Sequence, residues 1–194
     1  MANKTLKEMT NAELWKLFPI LLRPYDSEWP IIYEHEEKLL CEALKDIIIT
    51  IDHIGSTSVP GLTAKPTIDI LMQIKQHADL DALLGVLHSL GYLDNKDRSR
   101  PAPHYMFMKG YTTEGFKPPV FHLHVRYPGD YDELYFRNHL RKHPDVCKDY
   151  TRLKKKLQKK YKHDRDAYTE AKSTFIKKHT QLERSNKVEK TNEP

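Results

Sequence analysis

The sequence predicts an α+β protein in which one mixed β-sheet carries flanking helices and a helical C-terminal half. Three observations predict it. Two short runs of β-branched and aliphatic residues, Ile47 to Ile54 and Thr67 to Ile74, are joined by a loop of small residues. A hairpin-like pair, His104 to Lys109 and Val120 to Tyr127, follows a single helical segment. After Asp130 the pattern becomes helical and stays so.

The elements follow in order. Thr10 and Glu13 form a capping-box pattern ahead of Leu14, Trp15 and Leu17, which predicts a short helix. Pro19 and Pro24 punctuate the next stretch, and Ile20 to Leu22 reads as a short strand. Asp26 or Ser27 caps a longer helix through Trp29, Ile32, Tyr33, Leu39, Leu40, Ala43 and Leu44. Beyond the first two strands, Asp79 caps a helix through Leu90, with Gly91 where a C′ residue belongs. Gly110, Gly115, Pro118 and Pro119 occupy the hairpin connection. Asp132 to Lys142, Pro144 to Tyr161 and Ala167 to Leu182 read as the last three helices. The chain therefore divides into a single domain over 1–182 and a polar tail over 183–194. Within the domain, 1–19 is an N-terminal helical extension, 20–128 the sheet core and 129–182 the C-terminal helices.

Composition narrows the function classes. The 194 residues are 39% hydrophobic and 30% charged, which suits one folded core. No apolar run approaches the roughly 20 residues that cross a bilayer, and the N-terminus lacks the apolar region of a signal peptide. Two distant cysteines, Cys41 and Cys147, fit neither a disulfide framework nor a cysteine zinc site, so a reducing cytoplasm is expected. Lys and Arg number 32 against 27 acids, a net +5 that suits phosphate-bearing ligands.

The chemistry concentrates between His53 and Met72. Gly55 lets the backbone approach a ligand, and Ser56, Thr57 and Ser58 offer hydroxyls and N–H groups of the kind that cradle phosphate. Lys65 adds a nearby cation. A Walker loop is excluded, because Gly55 and Gly61 enclose five residues and Leu62 follows. Asp69 interrupts an apolar strand, where an unpaired charge costs several kcal/mol, so it needs a metal, a basic partner or water at a cleft. A structural salt bridge or a strand-end carboxylate bonded to backbone N–H is the equally simple reading. His122 and His124 are two apart on a strand and share a face, which suits metal binding, phosphate contact, proton transfer or a plainly solvated face. His35-Glu36-Glu37 lacks the second histidine of a zinc-protease helix and reads as a solvated helix face. Arg152, Lys154, Lys155, Lys156, Lys159, Lys160, Lys162 and Arg165 form a basic run, either a solvated helix face or an RNA contact. Tyr168 and Lys172, four apart, are expected on one helix face.

The stretch from His53 to Ile70, His-Ile-Gly-Ser-Thr-Ser-Val-Pro-Gly-Leu-Thr-Ala-Lys-Pro-Thr-Ile-Asp-Ile, closely resembles the signature of the GrpB family of small bacterial proteins. Arg23 to Pro30, His122 with His124, Phe136 to Arg141 with His143 and Pro144, and Tyr168 to Ile176 resemble it as well, in order along nearly the whole chain. That family is similar to a branch of the nucleotidyltransferase superfamily with a polymerase-β-like fold. The resemblance implies a nucleotidyltransferase-like mixed sheet that binds a nucleoside triphosphate and transfers a nucleotidyl group to a small molecule or an RNA end. Gly55, Ser56, Thr57 and Ser58 would grip the triphosphate, with Lys65, Arg137 and Lys172 as further phosphate or base contacts. Asp69, His122 and His124 would be catalytic and would hold a divalent ion, Mg²⁺ or Mn²⁺. This sequence departs from the superfamily pattern at Leu71, where a second carboxylate is expected. Asp52 is a candidate substitute, but alternation puts it on the face opposite His53. The departure motivates an alternative, a catalytically inactive nucleotide-binding or adaptor module of the same fold; an RNA-binding protein is a further alternative. GrpB-like domains also occur fused to dephospho-coenzyme A kinases, although this sequence has no kinase P-loop.

Overall fold

The computed structural model describes residues 4–94 and 103–191. Five strands form one mixed sheet in the order β1-β2-β5-β4-β3: β1 (Ile48–Ile54), β2 (Thr67–Ile74), β3 (Leu93–Asp94), β4 (His104–Thr112) and β5 (Gly115–Arg126). The central pair, β2 and β5, is parallel, and every other pair is antiparallel. The helices are α1 (Asn11–Leu17), α2 (Glu28–Leu44), α3 (Leu80–Ser89), α4 (Asp132–Lys142), α5 (Pro144–Tyr161), α6 (Arg165–Glu170) and α7 (Ser173–Thr191).

Alternation along β2 and β5 creates two unlike faces. Asp69 lies beside His122, and Leu71 beside His124, so these four share one side. Ile68, Ile70, Met72 and Ile74 point the other way with Phe121, Leu123 and Val125. That second set is fully buried beneath α2 and α3, against Trp29, Leu40, Leu44, Leu83 and Leu87. Each such side chain contributes about 1.5–3 kcal/mol through removal from water. Val59, Leu62, Leu140 and Tyr150 pack the C-terminal helices together as a smaller cluster.

The capping box at Thr10 and Glu13 is present, with the Glu13 carboxylate accepting from the Thr10 N–H at 2.7 Å. Asp79 caps α3 by accepting from the N–H groups of Asp81 and Ala82. Several expectations need correction. Ile20 to Leu22 is not a strand; the only pairing nearby is an isolated bridge from Arg23 to Ala64. The hairpin connection is much shorter than its glycines and prolines predict, because the ladder continues past an irregularity between Lys109 and Tyr111. Gly110 makes this possible: its φ is +86°, and a Cβ would stand 2.8 Å from the Lys117 carbonyl oxygen. The last predicted helix is two, α6 and α7, with Ala171 and Lys172 at the break. The expected tail from 183 is instead helical to Thr191. Its polar residues have partners: Glu183 is buried, and Arg184 pairs with Asp130 and Asp132. Glu36, expected in solvent, is buried and receives hydrogen bonds from Lys109 at 2.7 Å and from the Tyr92 hydroxyl at 3.0 Å. Cys41 and Cys147 are free thiols.

Candidate functional site

Asp69 is the one residue of β2 that is not buried. Its side chain is 28% exposed and opens into a cavity of about 380 Å³ between the sheet and the C-terminal helices. Gly55, Ser56, Lys65, Thr67 and His122 line the sheet side. Tyr150, Lys154, Tyr168 and Lys172 come from the helices, and Asp132 and Glu133 stand at the start of α4.

The turn after β1 is shaped for this contact. Gly55 has φ +69° and ψ −172°, a conformation open almost only to glycine. A Cβ there would also overlap the Asp69 carboxylate, with the Asp69 Cβ and Cγ only 2.9 Å away. Gly55 therefore lets the carboxylate lie directly over the backbone. Of the three hydroxyl residues that follow, Ser56 faces the cavity, while Thr57 and Ser58 turn inward and hold the turn. Thr57 Oγ1 donates to the Thr67 carbonyl at 3.0 Å and contacts His53 Nε2 at 3.0 Å. Ser58 Oγ donates to the Gly55 carbonyl at 2.6 Å. His53 is stacked on Tyr33, and burial pushes it down to about 4, against the pull of Asp69.

Asp69 sits at the end of a hydrogen-bonded chain. Arg165 donates to the Tyr111 hydroxyl at 3.2 Å, Tyr111 lies 2.7 Å from His122 Nε2, and His122 Nδ1 lies 3.1 Å from Asp69 Oδ1. Burial pushes Asp69 up, but the hydrogen bond from His122 and the charges of His122, His124 and Lys65 outweigh it and leave the acid below its usual range. Burial pushes His122 down, against the pull of Asp69. The pair is thus an ionised carboxylate and a neutral imidazole. A carboxylate only accepts, so the ring proton sits on Nδ1 and Nε2 accepts from Tyr111. Both ring nitrogens of His122 are then engaged, and His122 orients Asp69.

Three lysines converge on the same cavity. Burial pushes Lys65 and Lys154 down to about 7 and Lys172 to about 8; Lys172 adds to the depression of the other two, and Arg165 to that of Lys65 and Lys172. Lys65 and Lys172 both lie near Asp69, which opposes that depression. Lys172 stands over the Tyr168 ring at 4.5 Å, and Lys154 over Tyr150 at 4.4 Å. Lys154 also donates to Ser56 Oγ at 3.1 Å and to the Thr63 carbonyl. A cavity with this much cationic character in a dry setting is suited to a multiply charged anion.

Of the residues singled out from the sequence, Gly55, Ser56, Lys65, Asp69, His122 and Lys172 surround one cavity. His124 lies on the same sheet face one pleat further along, beside Leu71, and is not in its lining. Arg137 donates to Asp52 Oδ1 and to the His53 carbonyl, both at 3.0 Å, so it braces β1 against α4 instead of facing the cavity. Asp52 does share the Asp69 face, but its carboxylate is taken by Arg137. Leu71 is fully buried. A centre of paired carboxylates holding two ions does not fit these residues. Among them, Asp69 is the one candidate whose carboxylate can reach an ion directly from the cavity floor. Lys154, Tyr150, Tyr168, Tyr111 and Arg165 were not singled out as one site by sequence reasoning. Lys154 carried a signal: it shares a helical stripe with Tyr150 and Leu157, so one lysine of the basic run had to point inward.

A protein-family model described as GrpB protein matches residues 19–182. The chain belongs to the GrpB family. It is 37% identical over 157 residues to UPF0157 protein PA4798 of Pseudomonas aeruginosa, covering 79% of this chain and 63% of that protein. It is 32% identical over 180 residues to UPF0157 protein BH1888 of Halalkalibacterium halodurans, covering 89% of each. A more distant relative, 28% identical over 183 residues, is a dephospho-CoA kinase of Mycolicibacterium paratuberculosis; the match spans 82% of this chain and 44% of that protein. The crystal structure of GrpB from Enterococcus faecalis superposes with a TM-score of 0.75 at 28% identity, covering 87% of this chain and 99% of that one. This GrpB member thus shares its α+β architecture with a solved relative. No helix among its described residues is long and apolar enough to cross a membrane.

Proposed function

We propose that the cavity over Asp69 binds a nucleotide or a related phosphate ester, with the phosphates at the lysine end. The observation that carries this reading is the convergence of Lys65, Lys154 and Lys172 on one cavity, all depressed by burial and by neighbouring cations, Arg165 among them. Holding cations together out of water is unfavourable unless an anion repays it on binding. Phosphate oxygens meet that need, and Ser56 adds a polar contact beside Gly55. Tyr150 and Tyr168 offer aromatic surface in the same lining. The dephospho-CoA kinase among the relatives, matched over 44% of its length, hints at a nucleotide-related role.

The finer reading is a nucleotidyltransferase. Asp69 would then orient an acceptor hydroxyl or contact one Mg²⁺ or Mn²⁺ carried in on the phosphates, since Mg²⁺ binds through one or two carboxylates together with substrate phosphates. An acid held below its usual range is a weak general base, so its role is to accept hydrogen bonds or contact a cation. Leu71 favours the second reading, a binding module without transfer, because it removes the second carboxylate that a two-ion mechanism uses.

Calorimetric titration with nucleoside triphosphates, a diphosphate, pyrophosphate and inorganic phosphate, with and without Mg²⁺ or Mn²⁺, tests the reading. At least one phosphate ligand is expected to bind, and the double variant Lys65→Met/Lys172→Met is expected to lose it. Silence from every phosphate with either ion removes the reading. Asp69→Asn separates the two forms: labelled nucleotide transfer lost with binding kept supports the enzyme, and no transfer by the native chain supports the module.

A further inference from the structure

A second polar cluster lies away from the cavity, where α4 meets α7. His139 is four residues before His143, which caps the end of α4, and Glu183 faces them from α7. One donor atom from each of the three lies within 4.8 Å of the other two. We propose that His139, His143 and Glu183 bind one divalent transition-metal ion of the zinc class and thereby staple α7 to α4.

The unsatisfied atoms point to an ion. His139 and Glu183 are 4% and 5% exposed, and His139 Nδ1 and Glu183 Oε2 each lack a hydrogen-bond partner. These two atoms face each other at 3.5 Å. Two ligands of a tetrahedral ion, each about 2.1 Å from the metal, stand about 3.4 Å apart. The separation is therefore long for a hydrogen bond and right for a shared ion.

The outer atoms of both ligands are already held. His139 Nε2 is 3.1 Å from His179 Nδ1, which fixes the ring and directs Nδ1 toward Glu183. Lys142 donates to Glu183 Oε1, which leaves Oε2 turned inward. Partners of this kind orient metal ligands in built sites. His143 is fixed by its own backbone, whose N–H reaches the carbonyls of His139 at 3.1 Å and Leu140 at 3.3 Å. The His139 and His143 rings stand 4.2 Å apart. Two imidazoles and a carboxylate suit zinc and its neighbours over Mg²⁺ or Ca²⁺. Three protein ligands leave the fourth position to water.

The location gives the ion a consequence. α4 begins at the cavity rim with Asp132 and Glu133, and α7 begins beside Lys172 and Ile176. An ion between the last turn of α4 and the middle of α7 ties together two helices that line the cavity, without entering it. The inference rests on the α4–α7 geometry alone and stands whether or not the cavity binds phosphate.

The test uses the full chain with no affinity tag, stripped with a chelator and titrated with Zn²⁺ by calorimetry and with Co²⁺ by visible absorption. One equivalent of Zn²⁺ at micromolar ion is expected, with Co²⁺ giving the intense bands of a four-coordinate site that Zn²⁺ then abolishes. His143→Ala is expected to weaken binding at least about tenfold. Glu183→Gln should do the same, and His88→Ala, on the exposed end of α3, should bind like the native chain. His143 is only partly buried, so its variant folds even if a His139 variant does not. No stoichiometric uptake by the native chain overturns the proposal, as does uptake that His143→Ala leaves unchanged. A charged His139 paired to Glu183 by a proton would appear as the first of these outcomes.

Discussion

The two faces of β2 and β5 are made from alternate residues of the same strands, yet they obey different rules. On one face Ile68, Ile70, Met72, Phe121, Leu123 and Val125 are all at or below 2% exposure and pack into the main hydrophobic core. On the other, the neutral His122 ring donates to the Asp69 carboxylate at 3.1 Å beside Lys65, Lys154 and Lys172. The first face lowers the free energy of the folded chain with every side chain it buries. The second carries depressed lysines and an acid that must be ionised, an arrangement that stability alone does not select. A one-residue period thus separates the part that makes the sheet fold from the part that makes it available to a ligand.

The largest expected effect lies on the dry face. Leu123→Ala should cost about 2–5 kcal/mol in urea unfolding, because the void is ringed by strands and helices that cannot close on it. It should leave the relative affinities for different phosphates unchanged. A loss below about 1 kcal/mol would mean that this face is not the main source of stability.

Lysine removal on the wet face should move stability and binding in opposite directions. Lys65→Met is expected to raise stability at neutral pH by about 1 kcal/mol. It should also weaken the phosphate ligand tenfold or more, as loss of a hydrogen bond to a charged group does. A variant that loses both stability and affinity would make Lys65 a structural residue and break the contrast between faces.

The same contrast has a pH signature. Lys65, Lys154 and Lys172 have folded values of about 7, 7 and 8 against an ordinary 10.5, so above pH 7 the unfolded chain binds more protons. Stability therefore rises with pH from about 7 upward, and the penalty is fully present below it. His53 and His124, pushed down to about 4 from 6.5, act in the same sense at lower pH. The urea midpoint should increase from about pH 5 to about pH 8.5, and Lys65→Met/Lys172→Met should flatten the upper part of that rise. Phosphate binding should weaken over the upper interval and take up protons, measurable as a buffer-dependent heat. A midpoint that falls across this range would show that the lysines are not depressed.

Much of this was legible in the sequence, for local reasons. A carboxylate inside an aliphatic strand and two histidines two apart define a polar face by alternation alone. What was hidden depended on distant pairing. Parallel pairing of β2 with β5 puts Asp69 beside His122, and nothing local separates His122 from His124. Tyr111 and Arg165 complete the chain to Asp69 from a hairpin and a helix that sequence spacing does not connect. Arg137 carries the charge expected of a phosphate contact, but Asp52, eighty-five residues earlier, neutralises it. α7 shows the reverse failure: a polar stretch reads as a tail until Glu183 and Arg184 find partners across the fold.

The smallest expected effect tests the basic run on α5. Lys154 is 3% exposed and turns into the cavity, whereas Lys155, Lys156, Lys159 and Lys160 are exposed. Helical geometry divides one basic run into a single inward cation and a solvated remainder. Reversal of Lys155, Lys159 and Lys162 to Glu should change stability by less than about 0.5 kcal/mol each. It should leave phosphate binding within about twofold, because surface charges far from a ligand are screened by salt. An RNA surface on this helix predicts a different outcome, in which affinity for a single-stranded oligonucleotide falls steeply with salt and collapses in the triple variant. That collapse would assign the solvated lysines a partner of their own, and its absence would leave Lys154 as the one lysine of the run with a binding role.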